Sequence, residues 1–376
     1  MLRIKCTLAI CLSLFLVASS VNAQTSKPKR PRKAAESATW QFVVAGDSRN
    51  CGDVVMPAIA AGAKRDNAMF YWHLGDLRKI SRPDEDFAQL AKQQGKTPSL
   101  QEYQKAAWDD FMDHQIAPFG AMPFFLGIGN HETIPPKTRT EFVAKFEKWL
   151  NASEVKDQRL KDDPTDDRVK TYYHWVRGGI DFINLDNASH DQFDAGQLKW
   201  FAGVLARDQQ DASIRTVVVG MHAALPESIS SAHSMNEWHE GEITGRKVSQ
   251  DLLKLQNDAH KKVYVLASHS HFFMEGIFNT EYWRTHGGVL PGWIVGTSGA
   301  ERYRLPPKAT DAKAAKTDVY GYLLATANPH GQPAGTVALD FKQIDEDQIP
   351  SDVVQRFTPS FVHECFAGNR KMTGMF

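Results

Sequence analysis

Apolar positions along the chain fall in short runs separated by amphipathic stretches. Residues 40–46 (WQFVVAG), 68–74 and 123–128 are runs of aromatic, β-branched and other apolar residues, each too short for a helix, and they predict strands. Between them, residues 53–64 and 101–115 repeat apolar positions at helical spacing. Strand, helix and strand in this rhythm predict parallel strands joined by right-handed crossovers, in a sheet buried on both faces. The second half continues the pattern. Residues 172–176 and 180–185 flank Gly178-Gly179 and predict a hairpin; 194–207 and 252–260 predict helices; 216–219 and 262–266 predict strands. Further strands are predicted at 272–278, 293–296, 320–325 and 335–341, and there is no internal repeat. Residues 223–246 are rich in Ser, His and Glu without a clear period and predict a long loop, a feature that in compact domains is usually functional or mobile.

The polar residues that follow these apolar runs change the picture. Five times an apolar run ends and an Asp, Asn or His appears, in most cases beside a Gly: Gly46-Asp47, Gly75-Asp76, Gly129-Asn130-His131-Glu132, Gly220-Met221-His222 and Ser268-His269-Ser270-His271. In open α/β sheets ligands bind beyond the carboxyl ends of the strands, so residues scattered in sequence would converge there. Carboxylates and an amide carbonyl mixed with imidazoles suit Mn, Fe or Zn. Taken singly, Asp47 also reads as a helix N-cap, Asp76 as turn chemistry and His222 as a core histidine. The recurrence favours metal ligation.

This ordered series resembles the calcineurin-like metallophosphoesterases, the superfamily that includes purple acid phosphatases. Their blocks run D-x-H, GD, GNH[DE], a His after a strand, and GHxH, and the resemblance covers roughly residues 40–341. It implies a four-layer αββα sandwich with mixed sheets and a binuclear site holding two divalent or trivalent ions, Mn, Fe or Zn. In that reading Asp76 bridges the ions, Asn130, His222 and His269 complete one, and Asp47 with His271 holds the other. A hydroxide between the ions would attack phosphorus, and His131 would steady the phosphoryl oxygens or protonate the leaving group. The implied activity is hydrolysis of phosphomonoesters or phosphodiesters, with a small-molecule phosphoester as partner.

Two positions depart from the pattern. Arg49 stands where the first block has its His, and a guanidinium stays protonated and cannot ligate a metal. Lys79 stands where purple acid phosphatases place a Tyr ligand. The Asp47 ion is therefore one protein ligand short, with Asn50 the nearest replacement. The alternative is a non-catalytic phosphate- or metal-binding protein on the same fold. Arg49 also reads as a bidentate phosphate ligand. Trp238, His239 and Arg302 are candidate substrate-facing residues, and Glu132 reads as a hydrogen-bonding support for the ligands.

Composition adds a compartment. Residues 1–23 combine Arg3 and Lys5, an apolar core and a Val-Asn-Ala ending, as an export signal does. Export to the periplasm or outside the cell follows as an expectation. No later run is long and apolar enough to anchor the chain in a bilayer after cleavage. Removing Arg3 and Lys5 tips the even balance of 44 Lys+Arg and 44 Asp+Glu slightly acidic, which excludes an electrostatic footprint for nucleic acid. Residues 24–38 form a basic leader, 39–345 the phosphoesterase domain and 346–376 a C-terminal tail. Cys51 and Cys365 remain after the signal; one disulfide and two free thiols both fit.

Overall fold

The computed structural model describes residues 38–370; the export signal and the basic cluster at 27–33 lie outside them. The strands in chain order are β1 (Trp40–Ala45), β2 (Tyr71–His73), β3 (Phe124–Leu126), β4 (Tyr173–Arg177), β5 (Ile180–Asn184) and β6 (Thr216–Gly220). They continue with β7 (Lys262–Ala267), β8 (Phe273–Glu275), β9 (Gly292–Val295), β10 (Ala314–Lys316), β11 (Tyr320–Ala327) and β12 (Val337–Ile344). One sheet has the order β12-β11-β1-β2-β3, the other β10-β8-β9-β7-β6-β5-β4. β1, β2 and β3 are parallel, as are β5, β6, β7 and β9, while the outer pairings are antiparallel, so both sheets are mixed.

Alternation along the strands divides the layers. Phe182, Val218 and Leu266 belong to one apolar cluster with Phe42, Phe70 and Phe125 of the first sheet. Their neighbours Ile183, Val217, Val219 and Val265 belong to a second cluster with Phe201, Val204, Val248 and Leu252 of two helices. Successive side chains point to opposite faces of a strand, so the second sheet has the first sheet on one side and helices on the other. The seam between sheets is aromatic: Trp175 stacks on Phe125 at 3.9 Å and meets Trp72 edge-on at 5.2 Å. Trp72 Nε1 donates to Asn184 Oδ1 across it at 2.9 Å.

Two expectations needed revision. Helix His239–Asp258 begins inside the predicted loop 223–246. Its early buried positions are Gly241 and Gly245, the latter against Pro226 and Met235, so no apolar period marks its first turns. The segment after 345 is no tail through residue 370. Helices Ser351–Phe357 and Pro359–Ala367 bury Val353, Phe357, Val362 and Cys365.

One buried ion cluster carries a pH prediction. His174 of β4 meets Asp181 at 2.8 Å and Asp162 at 2.7 Å. Burial opposes its charge, but the two carboxylates outweigh burial and push its pKa up to about 9. A folded pKa raised above the unfolded 6.5 stabilises fully below pH 6.5 and loses that stability as pH rises through about 9, at most about 3 kcal/mol. Melting temperature should therefore fall over that window, and His174→Gln should flatten the fall; a parent profile flat from pH 6.5 to 9 would contradict the pairing.

Candidate metal centre

The carboxyl ends of β1, β2, β3, β6 and β7 bring Asp47, Asp76, Asn130, His222, His269 and His271 together. The local backbone is strained to do so. Asp47, Asp76 and His269 sit at φ 60, 58 and 66, where residues other than Gly are uncommon, and such outliers collect at functional sites. Gly129 is required beside them, since a Cβ there would run into the Asp76 side chain. Glu132 ties two of the loops together: its carboxylate accepts from Asp76 N and Leu77 N at 2.9 Å and from Gly129 N at 2.8 Å.

Around one face of Asp76, four lone-pair atoms converge. His222 Nε2 lies 3.0 Å from Asn130 Oδ1, 3.3 Å from Asp76 Oδ1 and 3.0 Å from His269 Nδ1. His222 Nδ1 faces the Leu74 carbonyl at 3.1 Å, which assigns the ring proton to Nδ1 and turns the Nε2 lone pair into the cluster. Asp76 and His222 are buried and His269 nearly so. A carboxylate oxygen, an amide oxygen and two imidazole nitrogens packed this closely form a donor set for a cation, and that mixture suits a borderline divalent ion. The residues present therefore fit a metal at this position.

The other face of Asp76 differs. Asp47 Oδ1 lies 3.2 Å from His271 Nε2, and Asp47 Oδ1 and Asp76 Oδ2 have no hydrogen-bond partner. The Arg49 side chain enters the same space. Its Nη2 meets His271 Nε2 at 2.8 Å, its Nη1 bonds His131 Nε2, and its Nε lies 3.7 Å from Asp76 Oδ2. Asn50, the suggested replacement ligand, turns away: its Nδ2 donates to Glu85 at 2.5 Å and its Oδ1 accepts from Glu301 N at 3.2 Å. His131 donates through Nδ1 to the Lys79 carbonyl at 2.5 Å. Burial and then the Arg49 guanidinium push its pKa down to about 4, so the ring is neutral. With both ring nitrogens engaged it has no proton directed at a leaving group.

The candidate substrate-facing residues Trp238, His239 and Arg302 are not brought to the cluster. Arg302 donates to the carbonyls of Phe366 at 2.6 Å, Asn369 at 3.1 Å and Asp318 at 3.2 Å, and lies over the Tyr320 ring. It anchors the C-terminal helix and has no guanidinium face left for phosphate. Trp238 is exposed and packs on His190, His239 is exposed, and among the described residues neither shares a hydrogen bond or ring contact with the metal ligands.

Two further groups border the cluster: His233, whose place in the long loop left substrate-facing and solvent-exposed readings both open, and Asp191, which the sequence reading passed over. His233 stacks on His269 at 3.8 Å, bonds Glu237 through Nδ1 at 2.9 Å, and leaves its buried Nε2 without a partner. The signal was the spacing of His233 and Glu237, one helical turn apart. Asp191, after β5, is buried within electrostatic reach of His222 and Asp76, and burial chiefly pushes its carboxyl up to about 7. No sequence signal distinguished it from any loop aspartate.

The order of the blocks, the two mixed sheets and this donor set define one class of protein. A family model described as calcineurin-like phosphoesterase matches residues 41–273, and the chain belongs to that family. Among solved structures it is similar to a purple acid phosphatase from yellow lupin (Lupinus luteus) seeds, with 18 % identity and a TM-score of 0.54. That match covers 82 % of this chain and 52 % of the lupin chain, so this chain spans about half the length of that relative. It is also similar to PhoD, with 14 % identity, a TM-score of 0.50, and coverage of 88 % and 78 %. At these identities the likeness concerns the fold. No curated protein sequence matches the chain.

Proposed function

We propose that this chain hydrolyses small-molecule phosphomonoesters or phosphodiesters with metal held by Asp76, Asn130, His222 and His269. The observation that carries the reading is the convergence of Asn130 Oδ1, Asp76 Oδ1 and His269 Nδ1 within 3.0–3.3 Å of His222 Nε2. When bound, metal supplies Lewis-acid charge neutralisation and an activated water, the main needs of phosphoryl transfer. The chain's own residues do the rest. Glu132 and the buried second sheet hold the donors in place. Arg49 adds a fixed positive charge on the other side of Asp76, where Asp47 and His271 would complete the second position of a binuclear site. His233, oriented by Glu237, is the ring with a free Nε2; once that nitrogen has taken up a proton, the ring can pass it to a departing alkoxide.

Export is part of the same proposal. A disulfide joins Cys51 to Cys365, and such bonds persist in oxidising compartments, which supports a periplasmic or secreted enzyme. The test of the activity is metal removal. Chelation should abolish hydrolysis of a chromogenic aryl phosphate, and added Mn²⁺ or Zn²⁺ should restore it. Hydrolysis untouched by chelation, with the metal shown to be gone, would refute metal dependence; tight metal binding with no turnover on monoesters or diesters would favour the binding protein.

A further inference from the structure

We infer that this chain keeps one resident metal ion and that the Arg49 guanidinium stands as a permanent cation in the second position. The inference rests on the functional reading above and concerns how that site is charged. The second position offers three donors, Asp47, Asp76 and His271. His271 Nδ1 bonds the Glu301 carbonyl at 2.6 Å, so the ring proton lies on Nδ1 and the only lone pair is on Nε2. That lone pair already accepts from Arg49 Nη2 at 2.8 Å. A ring nitrogen has one lone pair, so an ion could take His271 only by expelling the guanidinium. The other Arg49 Nη repeats the arrangement on His131, whose Nδ1 is fixed by the Lys79 carbonyl. What remains for a second ion is two carboxylate oxygens, Asp47 Oδ1 and Asp76 Oδ2, beside a group that cannot lose its proton.

The guanidinium is also held where it is. Arg49 is only 6 % exposed. The residue before it, Ser48, donates its backbone N–H to Asp76 O at 3.0 Å. The residue after it, Asn50, donates its N–H to Asp84 at 2.7 Å and uses both side-chain ends on Glu85 and Glu301. Cys51 is bonded covalently to Cys365. The loop therefore has no slack with which to swing Arg49 outward. Lys79, half-buried, adds a second positive charge close enough to interact with Arg49 and Glu301. The Arg49 guanidinium thus stands where a divalent ion would otherwise balance Asp47 and Asp76.

Metal stoichiometry decides the matter without reference to turnover. The full chain, loaded with Mn²⁺ and freed of excess, should hold one ion and give the six-line spectrum of an isolated Mn²⁺. Arg49→His frees the His271 lone pair and supplies an imidazole; it should hold two ions and show a spin-coupled Mn²⁺ pair. Arg49→Lys keeps the charge and should remain at one ion, which guards against misfolding of the His variant. Asp47→Asn should also remain at one. Two ions in the parent with hydrolysis intact would overturn this inference alone. A single ion in a folded Arg49→His protein would overturn it as well. A parent that binds no Mn²⁺ or Zn²⁺ and hydrolyses nothing would overturn the functional reading and this inference together.

Discussion

Asp76→Asn is expected to lower turnover by more than about a hundredfold and to release the bound metal. Loss of a partner outside the ligand shell typically costs 10–100-fold in affinity or activity, and Asp76 is a charged donor at the centre of the shell. Its Oδ1 faces His222 and its Oδ2 faces Arg49. Removing the charge therefore takes an anion from the metal and leaves the buried guanidinium with Asp47 and Asp84 as its remaining carboxylate counter-charges. Asn keeps the shape, tolerates the left-handed backbone at φ 58, and can still accept from His131 N, now 3.0 Å from Oδ1. A folding defect is thus the smaller effect, and circular dichroism should show a native spectrum. Parent-like metal content and turnover in Asp76→Asn would remove Asp76 from the metal centre.

How much of this was legible depended on where each residue stands relative to a strand. Asp47, Asp76, Asn130, His222, His269 and His271 follow short apolar runs, and a parallel sheet sends all such ends to one edge. Local pattern alone therefore implied their convergence. Arg302 and Asn50 were misread because their partners come from far away in the chain: Arg302 meets carbonyls near residue 366, and Asn50 meets Glu301. No spacing rule reaches across such separations. Arg49 was legible as a departure from the ligand pattern. That it closes the second position was not, because this follows from the protons on His131 and His271, which the carbonyls of Lys79 and Glu301 assign. The start of helix His239–Asp258 was hidden for a packing reason, since glycines fill its buried side.

The pairing of Cys51 with Cys365 was left open by the sequence and is present in the fold, and it supports the second large effect. The Cys51→Ala/Cys365→Ala variant is expected to lose about 2–5 kcal/mol of stability. The bond closes a loop of sequence separation 314, and the chain-entropy account gives long loops the larger stabilisation. It also joins two segments that meet at the site's edge. Cys51 precedes helix Gly52–Arg65 and donates its backbone N–H to Gly299 O at 3.1 Å. Cys365 lies in helix Pro359–Ala367, whose last carbonyls hold Arg302, next to the Tyr303 ring that stacks on His271 at 3.9 Å. Alanine is the better replacement, since both cysteines are 1 % exposed and a serine would bury an unpaired hydroxyl. Thermal melting should drop by roughly 4–20 °C, given about 2–4 °C per kcal/mol in large domains. A reductant should lower the parent's melting point by a similar amount and leave the variant unchanged. The donors Asp76, Asn130, His222 and His269 follow strands β2, β3, β6 and β7, which the bond does not join, so metal affinity at 25 °C should stay within a few-fold. Equal melting of parent and variant, with no response of the parent to reductant, would show that the C-terminal helix is held by packing and by Arg302 alone.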